Sequence, residues 1–328
     1  MTFAKARTCI LSCAAIAAAV LVAPLAKAQD YPTRPVKIVL PYAAGGIPDT
    51  VGRLVADELA QRFGKPFVVE NRPGANGNIG VNGVISAPPD GHTLLLGATG
   101  TLSIGPSVYT QQAFKLSDLA PVSLICDADY VLLSQPALKG KSAAEIIALA
   151  QKNPGQLKVA SSGFGSESHL LIELIKLTAN VNLTHVPYKG FTFGVTDVMG
   201  DRVELIVASI AASAPFVHDG KIGAVAVTSM KRNADLPDTP TFAELGYAAV
   251  RMTSWLGLLA SAQTPKPIVD KLAQAMAEIL RSKEFGARLA KLGLNPMTPG
   301  PAAFAEQLRS DTQQYAEIVA RANIPKMK

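Results

Sequence analysis

The stretch Pro41-Tyr-Ala-Ala-Gly-Gly-Ile-Pro-Asp-Thr-Val-Gly-Arg53 decides the fold, because it joins an apolar run to an amphipathic segment. The preceding residues 36–40 (VKIVL) are typical of a buried strand, and residues 51–63 have apolar positions at helical spacing. Strand, glycine turn and helix are therefore predicted in direct succession. Open α/β sheets bind ligands at such turns, beside the carboxyl ends of their strands.

The composition of this turn favours binding of an anion. Gly45 and Gly46 let a ligand approach the backbone closely, and Pro48 suits the first turn of a helix. The unpaired N–H groups of a helix start, with the positive end of the helix dipole, attract negative charge. We predict that the turn holds a carboxylate; the alternative is a plain connector. This turn has no G-x-G-x-x-G motif, and the chain has no P-loop motif. No nucleotide-binding motif is therefore present at this turn.

The first 28 residues have the features of a signal peptide. Lys5 and Arg7 precede an apolar, alanine-rich core, and Ala26-Lys-Ala28 is a small-x-small cleavage signal. We expect cleavage after Ala28 and a periplasmic protein; a lipid-attachment site at Ile10-Leu-Ser-Cys13 is the alternative. No later stretch approaches the roughly 18 apolar residues that a membrane span requires.

Charge and cysteine content exclude several classes of protein. The 328-residue chain carries 31 basic and 25 acidic residues. Three basic residues and no acidic residue precede Gln29, so the mature chain has 28 basic and 25 acidic residues, a net charge of +3. The chain has no cluster of basic residues, which argues weakly against nucleic acid binding. Cys126 is the only cysteine after residue 28, which excludes an internal disulfide and a cysteine-cluster metal site.

Alternating strand and helix patterns predict two α/β lobes with mainly parallel sheets. Residues 118–125 and 130–134 are predicted as two strands separated by Cys126-Asp-Ala-Asp129, where the chain passes between the lobes. Residues 252–260 look like a strand that returns to the first lobe, and the terminal helices are expected to cover that lobe. The prediction assigns 29–127 and 256–328 to lobe I, and 128–255 to lobe II.

Nine short stretches in order along the chain carry a family resemblance. They are Tyr31-Pro-Thr-Arg-Pro-Val, Ala44-Gly-Gly-Ile-Pro-Asp49 with Arg53, Val69-Glu-Asn-Arg-Pro-Gly-Ala75, Pro89-Asp-Gly-His-Thr-Leu-Leu95, Asn153-Pro-Gly-Gln-Leu-Lys-Val-Ala-Ser-Ser162, His185-Val-Pro-Tyr-Lys-Gly190, Ala226-Val-Thr228, Pro240-Thr-Phe-Ala-Glu-Leu-Gly246 and Ser254-Trp-Leu-Gly257. In their order and spacing they resemble the periplasmic solute receptors of tripartite tricarboxylate transporters, the TctC or Bug family, over nearly all of 31–322.

The resemblance implies a two-lobed α/β periplasmic binding protein, type II-like, that closes around an organic acid in the cleft between its lobes. It implies that backbone N–H groups of residues 43–49 and of the facing turn 161–166 hold the carboxylate, often through water. It implies recognition of the closed form by membrane permease subunits, and no cofactor, metal or catalysis. A monomer is expected.

The predicted ligand-binding residues lie in and near these two turns, and several have a second interpretation. Asp49 either caps the helix or contacts an amine of the ligand. The serine turn either binds ligand or is an ordinary helix cap with Glu167 and Glu173 as solvated charges, and His169 is either in the cleft or structural. Lys189 either steers an acid or is simply exposed. The full set is Tyr42, Ala44, Gly45, Gly46, Asp49, Ser161, Ser162, Ser166, His169 and Lys189.

Some positions depart from the family pattern and leave the identity of the acid open. Ala43 and Pro48 replace the usual proline and threonine of the first turn, and Asp201 replaces a glycine. Phe191-Thr-Phe-Gly194 replaces a Pro-Ala pattern. Phe191 and Phe193 are either aromatic walls of the pocket or core residues of a helix.

Two alternatives to transport are a secreted hydrolase and an extracytoplasmic sensor. A secreted hydrolase is disfavoured because no G-x-S-x-G elbow is present and the four histidines show no zinc-ligand spacing. An extracytoplasmic sensor that presents its ligand to a membrane kinase would use the same fold and pocket. The sequence does not separate sensing from transport.

Overall fold

The computed structural model of the protein describes residues 31–327, and the predicted signal peptide with its cleavage site lies outside them. None of the helices in this range is long and apolar enough to cross a membrane. The strands are β1 Val36–Leu40, β2 Phe67–Asn71, β3 Thr93–Ala98, β4 Leu119–Ser134, β5 Lys158–Ser161, β6 Thr184–Pro187, β7 Leu205–Ser209, β8 Gly223–Val227, β9 Thr253–Ser261 and β10 Asn295–Pro296.

The helices follow the predicted alternation with the strands. A π-helical turn, Gly100–Ile104, precedes the third helix. The helices are α1 Ile47–Phe63, α2 Asn78–Ile85, α3 Gly105–Val108, α4 Ala143–Lys152, α5 Glu167–Ala179, α6 Phe191–Met199, α7 Ile210–His218, α8 Lys266–Arg281, α9 Lys283–Ala290 and α10 Pro301–Arg321.

The strands pair in the order β2-β1-β3-β9-β4-β7-β5-β6, and β8 and β10 also pair with β4. On one side of this array β1 is parallel to β2 and β3, and on the other β5 is parallel to β6 and β7. The central strands β9 and β4 run antiparallel to their neighbours. Helical crossovers thus build two parallel groups of strands, and the predicted two-lobed α/β fold is confirmed.

Strand β4 differs from the prediction, because the two predicted strands are one continuous strand of 16 residues. The segment expected to separate them is extended: Asp127, Ala128 and Asp129 lie opposite Trp255, Ser254 and Thr253 of β9. Cys126 and Ala128 are buried. Backbone pairing with β9, which the local sequence does not reveal, therefore overrides the polar composition of this segment.

Apolar residues of the helices cover both faces of each group of strands. Next to β1–β3, one core includes Val55 of α1 and Leu272 of α8, and the opposite core includes Val81 of α2. Next to β5–β7, one core includes Leu171 of α5 and the opposite core includes Val198 of α6. Burial on both faces explains why the strands read as almost continuous apolar runs.

The C-terminal helix α10 packs against both lobes. Phe304 near its start is buried in the core that contains Val81, and Trp255 of β9 contacts the Phe304 ring edge-to-face at 5.2 Å. Tyr315, three turns later, is buried in the core that contains Leu171 of α5. The helix therefore joins the two cores in addition to covering the first one.

The chain passes between the lobes at two adjacent places. Strand β4 changes partners between Asp129, opposite Thr253 of β9, and Tyr130, opposite Ser209 of β7. Thr228 ties the two passages together: its Oγ1 accepts the N–H of Tyr130 at 2.9 Å and donates to the carbonyl of Met252 at 2.8 Å. The exact lobe limits, at 127/128 and 255/256, stay a prediction.

Candidate functional site: a cavity between the two turns

The first turn is stabilised from behind by Asp49 of helix α1. One carboxylate oxygen accepts the N–H of Gly45 at 3.1 Å, and the other accepts Nδ2 of Asn71 at 3.1 Å. Arg53, one helical turn later, donates Nε and Nη2 to the same group at 3.2 and 3.0 Å. The Arg53 hydrogen bond, followed by that of the Gly45 N–H, lowers the pKa of Asp49 below its usual value. Asp49 is buried and ionised, and it shapes the turn.

The start of helix α1 is open toward the cleft. Gly46 is the N-cap residue and has no side-chain cap, and Gly45 adopts a φ of +87° that favours glycine. Ile47 and Pro48 of the first turn line the cavity described below. Apart from the Gly45 N–H, which Asp49 accepts, the backbone donors at the start of this helix lie beside the cleft without a side-chain cap.

Tyr42 connects the first turn to the π-helical turn Gly100–Ile104. Its hydroxyl donates to Oγ1 of Thr101, the second residue of that turn, at 3.0 Å. A third loop approaches the same place, because a Cβ on Gly77 would lie 2.6 Å from the methyl group of Thr101. Gly77 has a φ of +91° and precedes helix α2, so the close packing and the left-handed backbone both require glycine.

The facing turn, Ser161–Ser166, is held by its own hydroxyl groups. Ser166 caps helix α5, since its Oγ accepts the N–H of His169 at 3.3 Å, and the same hydroxyl donates to the carbonyl of Gly163 at 2.6 Å. Ser168 Oγ accepts the N–H of Ser162 at 2.9 Å and lies 3.0 Å from Ser166 Oγ. The hydroxyl groups therefore order the loop, and the cap interpretation of Ser166 is correct for its side chain.

Two stacked histidines, His169 and His185, contact the facing turn on its buried side. The rings of His169 and His185 lie 4.0 Å apart and nearly parallel. Nδ1 of His169 accepts the N–H of Gly165 at 3.1 Å, and Nε2 of His185 lies 2.6 Å from Oγ of Ser161. Burial and the neighbouring ring lower the pKa of His169 to about 3, and burial lowers the pKa of His185 to about 4. Both are neutral structural histidines at neutral pH.

The two turns border one cavity of about 650 Å³. Its lining includes residues at the starts of α1, α2, α5 and α7 and of the π-helical turn, so several positive helix ends point at the same space. The lining residues are Pro41, Tyr42, Ala43, Ile47, Pro48, Pro73, Gly74, Asn76, Gly77, Ala98, Gly100, Thr101, Tyr109, Cys126, Ala128, Tyr130, Ser162, Gly163, Phe164, Gly165, Ser166, Glu167, Ser209, Ala211, Ser254, Leu256, Leu292 and Leu294.

Glu167 reaches across the cavity from helix α5 to the opposite lobe. A Cβ on Gly100 would lie 3.0 Å from Oε1, so the carboxylate lies against the backbone of Gly100. Burial raises the pKa of Glu167 above its usual value. The sequence alternative that treated Glu167 as a solvated charge is therefore wrong, because the opposite lobe covers a side chain that helix α5 alone would leave in solvent.

The structure places the ten predicted binding residues in three groups. Tyr42, Ser162 and Ser166 line the cavity. Ala44, Gly45 and Gly46 are exposed on the first turn beside it, and Lys189 is exposed and not part of the lining. Asp49, Ser161 and His169 are buried behind the turns.

Phe191 and Phe193, whose role the sequence left undecided, differ in their surroundings. Phe191 is partly buried against the core that contains Val198, where its ring contacts Phe216 edge-to-face at 5.8 Å. Phe193 is 63% exposed. Neither is among the residues that line the cavity, so the core interpretation holds for Phe191, and Phe193 is in solvent.

Sequence reasoning missed a third loop and a group of tyrosines. Residues 73–77 reach the cavity because Ala75 and Asn76 adopt positive φ, which the turn-rich composition of this loop indicates only in general. Tyr109 and Tyr130 come from segments that were predicted as ordinary chain or strand. They are 21 residues apart in the chain and come to the same cavity only in the folded protein, so no local signal marks them.

Metal binding has no support from clustered ligands in the part of the chain that the structure describes. No group of three His, Cys, Asp or Glu side chains there could hold an ion. Burial raises the pKa of the Cys126 thiol to about 12, which makes it an unreactive core residue.

Comparison with known proteins gives one consistent result. Residues 51–324 match the model of the tripartite tricarboxylate transporter family receptor, TctC. Protein BugT of Bordetella pertussis is 33% identical over 306 residues, which cover 93% of this chain and 94% of BugT.

Two solved structures of Rhodopseudomonas palustris proteins resemble the whole described fold. Rpa4515, solved with adipate, has a TM-score of 0.77 and 32% identity, covering 91% of this chain and 100% of its own. MatC, solved with bound malate, has a TM-score of 0.71 and 30% identity, covering 88% of this chain and 100% of its own. The chain therefore belongs to the TctC or Bug family of tripartite tricarboxylate transporter receptors, which are periplasmic solute-binding receptors and not enzymes.

Proposed function

We propose that this receptor captures a small organic acid in the cavity between its lobes. The carboxylate is held, directly or through water, by those backbone N–H groups of the turns 43–49 and 161–166 that do not already donate within the turns, as the N–H groups of Gly45, Ser162 and Gly165 do. The observation that carries this proposal is the convergence of four helix starts and a π-helical turn on one cavity. Each helix start favours a negative charge by about 0.3–1 kcal/mol or more when partly buried.

Side-chain charge offers no competing explanation for anion binding. No lysine, arginine or histidine is among the residues that line this cavity in the described part of the chain. The ligand carboxylate would therefore depend on uncharged donors, which are main-chain N–H groups and the hydroxyl groups of the lining. The relatives solved with adipate and malate support an acid as the ligand.

Delivery to the membrane is the second part of the proposal. After removal of residues 1–28 the receptor would carry its ligand through the periplasm to the permease subunits of a tripartite transporter. The family match to receptors of such transporters supports this step.

A thermal-shift screen of the mature chain, residues 29–328, tests the ligand class. Small mono- and dicarboxylates should raise the unfolding temperature, because a ligand at 100 times its Kd adds about 2.7 kcal/mol to the free energy of unfolding. Sugars and amines without a carboxylate serve as controls. A panel in which every acid is silent while sugars or such amines stabilise the protein would refute the proposal.

A further inference from the structure

The charge of the cavity lining is unusual for a site that receives an acid. Glu167 is the one side chain of this lining with a carboxylate, and no cationic side chain accompanies it among the described lining residues. Its carboxylate lies against the backbone of Gly100 on the opposite lobe. The cavity therefore contains a fixed acid that has no side-chain counter-charge.

Three tyrosines line the same cavity as this acid. Tyr42 approaches from the first turn, Tyr109 from the segment after α3, and Tyr130 from the point where β4 changes lobes. Burial, and to a lesser extent the Glu167 charge, raises the pKa of all three phenols. The ring of Phe164 lines the same cavity.

An acid among aromatic rings fits a positively charged group better than a second negative one. The faces of tyrosine and phenylalanine rings attract cations, and the attraction is strongest where water is excluded. A second carboxylate of a ligand would be placed near Glu167 and repelled by it. The helix starts already accommodate one negative headgroup, so the remaining part of the cavity is the part that Glu167 controls.

We propose that the preferred ligand carries an ammonium group as well as a carboxylate, and that Glu167 binds this ammonium between the rings of Tyr42, Tyr109 and Tyr130. The inference rests on the proposed function, since the carboxylate of the same ligand occupies the helix starts. The ligand class is thus a small zwitterion of the amino-acid or betaine type. Glu167 is the residue that selects it over a simple acid of the same shape.

Calorimetry with matched pairs of acids tests the selection. Each pair differs in replacement of a positive nitrogen by carbon: γ-aminobutyrate with pentanoate, glutamate with 2-methylglutarate, and glycine betaine with 3,3-dimethylbutanoate. We expect at least one ammonium compound to bind at least tenfold more tightly than its carbon partner. Glu167→Gln should reduce that preference to threefold or less, because the neutral amide keeps the shape and loses the charge.

Glu173→Gln is the matched control, since Glu173 lies on the same helix, pairs with Lys176 at 2.9 Å and does not line the cavity. It should keep the wild-type preference. Equal or tighter binding of the carbon partners by the wild type overturns the zwitterion inference and leaves acid binding intact. An unchanged preference in folded Glu167→Gln also overturns the zwitterion inference. If no member of any pair binds, the zwitterion inference fails, and the broader acid screen decides the proposed function separately.

Discussion

At the scale of single residues, several charged and polar side chains near the cavity hold the turns in shape, and in the function we propose the backbone contacts the ligand. Asp49 accepts hydrogen bonds from Gly45, Asn71 and Arg53, and His169 accepts the N–H of Gly165. The sequence could predict that these residues belong to the site, because they flank glycine turns. It could not decide between support and contact, since that depends on which direction each side chain takes after folding.

Gly46→Val should weaken acid binding without unfolding the protein. Gly46 has an ordinary φ of −87°, and a Cβ there would meet only Cδ of Pro48 at 3.6 Å, so the fold tolerates a side chain. The added bulk would obstruct approach to the N–H groups of the helix start. We expect at least a tenfold loss of affinity by calorimetry, with an unfolding temperature close to that of the wild type.

Gly300→Val provides the control for this substitution. Gly300 is also an N-cap residue without a side-chain cap, at the start of α10, and nothing lies within 4 Å of its Cβ position. It does not line the cavity, so affinity should be unchanged. Unchanged affinity in folded Gly46→Val would contradict the role of the first turn.

At the scale of secondary-structure elements, most helices and strands could be predicted from apolar periodicity. The sequence predicts helices at 191–199 and 301–321, each preceded by a glycine, and both match the structure at both ends. Strand β4 could not be predicted as one element, since residues 126–129 are polar in part and are held extended by β9. Non-local pairing of this kind leaves no local signal.

The two stacked histidines, one on α5 and one on β6, should make the stability of the protein depend on pH. His169 and His185 have folded-state pKa values of about 3 and 4, whereas unfolded histidine titrates near 6.5. Between these values the unfolded chain binds protons that the folded chain does not, so stability is complete above about pH 7 and is lost as the pH falls. The slope is at most about 1.4 kcal/mol per pH unit for each histidine.

Calorimetric unfolding temperatures between pH 7 and pH 5 measure this dependence. His169→Asn should make it shallower, because the Asn oxygen can accept the Gly165 N–H without taking up a proton. His218→Asn is the control, since His218 is exposed and outside the turn. The same pH slope in His169→Asn as in the wild type would show that the stacked pair does not titrate as described.

At the scale of the whole molecule, helix α10 and strand β4 connect the two lobes so that neither core is independent. Phe304 and Tyr315 of the same helix lie in cores on opposite sides of the cleft. The sequence predicted two lobes and a cavity between two turns, and it assigned the terminal helices to one lobe. The shared packing of α10 follows from its 21-residue length, which spans both lobes, and from apolar positions at each end.

Tyr315→Ala should destabilise both lobes together. Truncation of a fully buried aromatic side chain costs about 3–5 kcal/mol, and Tyr315 is 2% exposed. We expect differential scanning calorimetry to show one transition in the wild type and one transition at lower temperature in the variant. Gln313→Ala, at an exposed position of the same helix, should change little. A trace that splits into two peaks, with one at the wild-type temperature, would contradict this coupling.

The family match supports transport, whereas sensing and a monomeric state rest on the sequence alone. The family match concerns a receptor of tripartite transporters, so transport is the function we propose. Presentation of the ligand to a sensor kinase and a monomeric state in solution stay predictions from the sequence. Uptake assays in cells that lack this receptor, with the acid identified by native mass spectrometry of the purified protein, address transport directly.

The pairing of Asp129 with Thr253, and the bridge that Thr228 makes from Tyr130 to Met252, limit how this receptor can open. Both chain passages run side by side and are hydrogen-bonded to each other. Sliding one lobe along the other would shift their register and break those bonds, whereas rotation about the line of the two passages would preserve them. Admission of a ligand should therefore be a swing about this axis, widest at the rim farthest from Thr228.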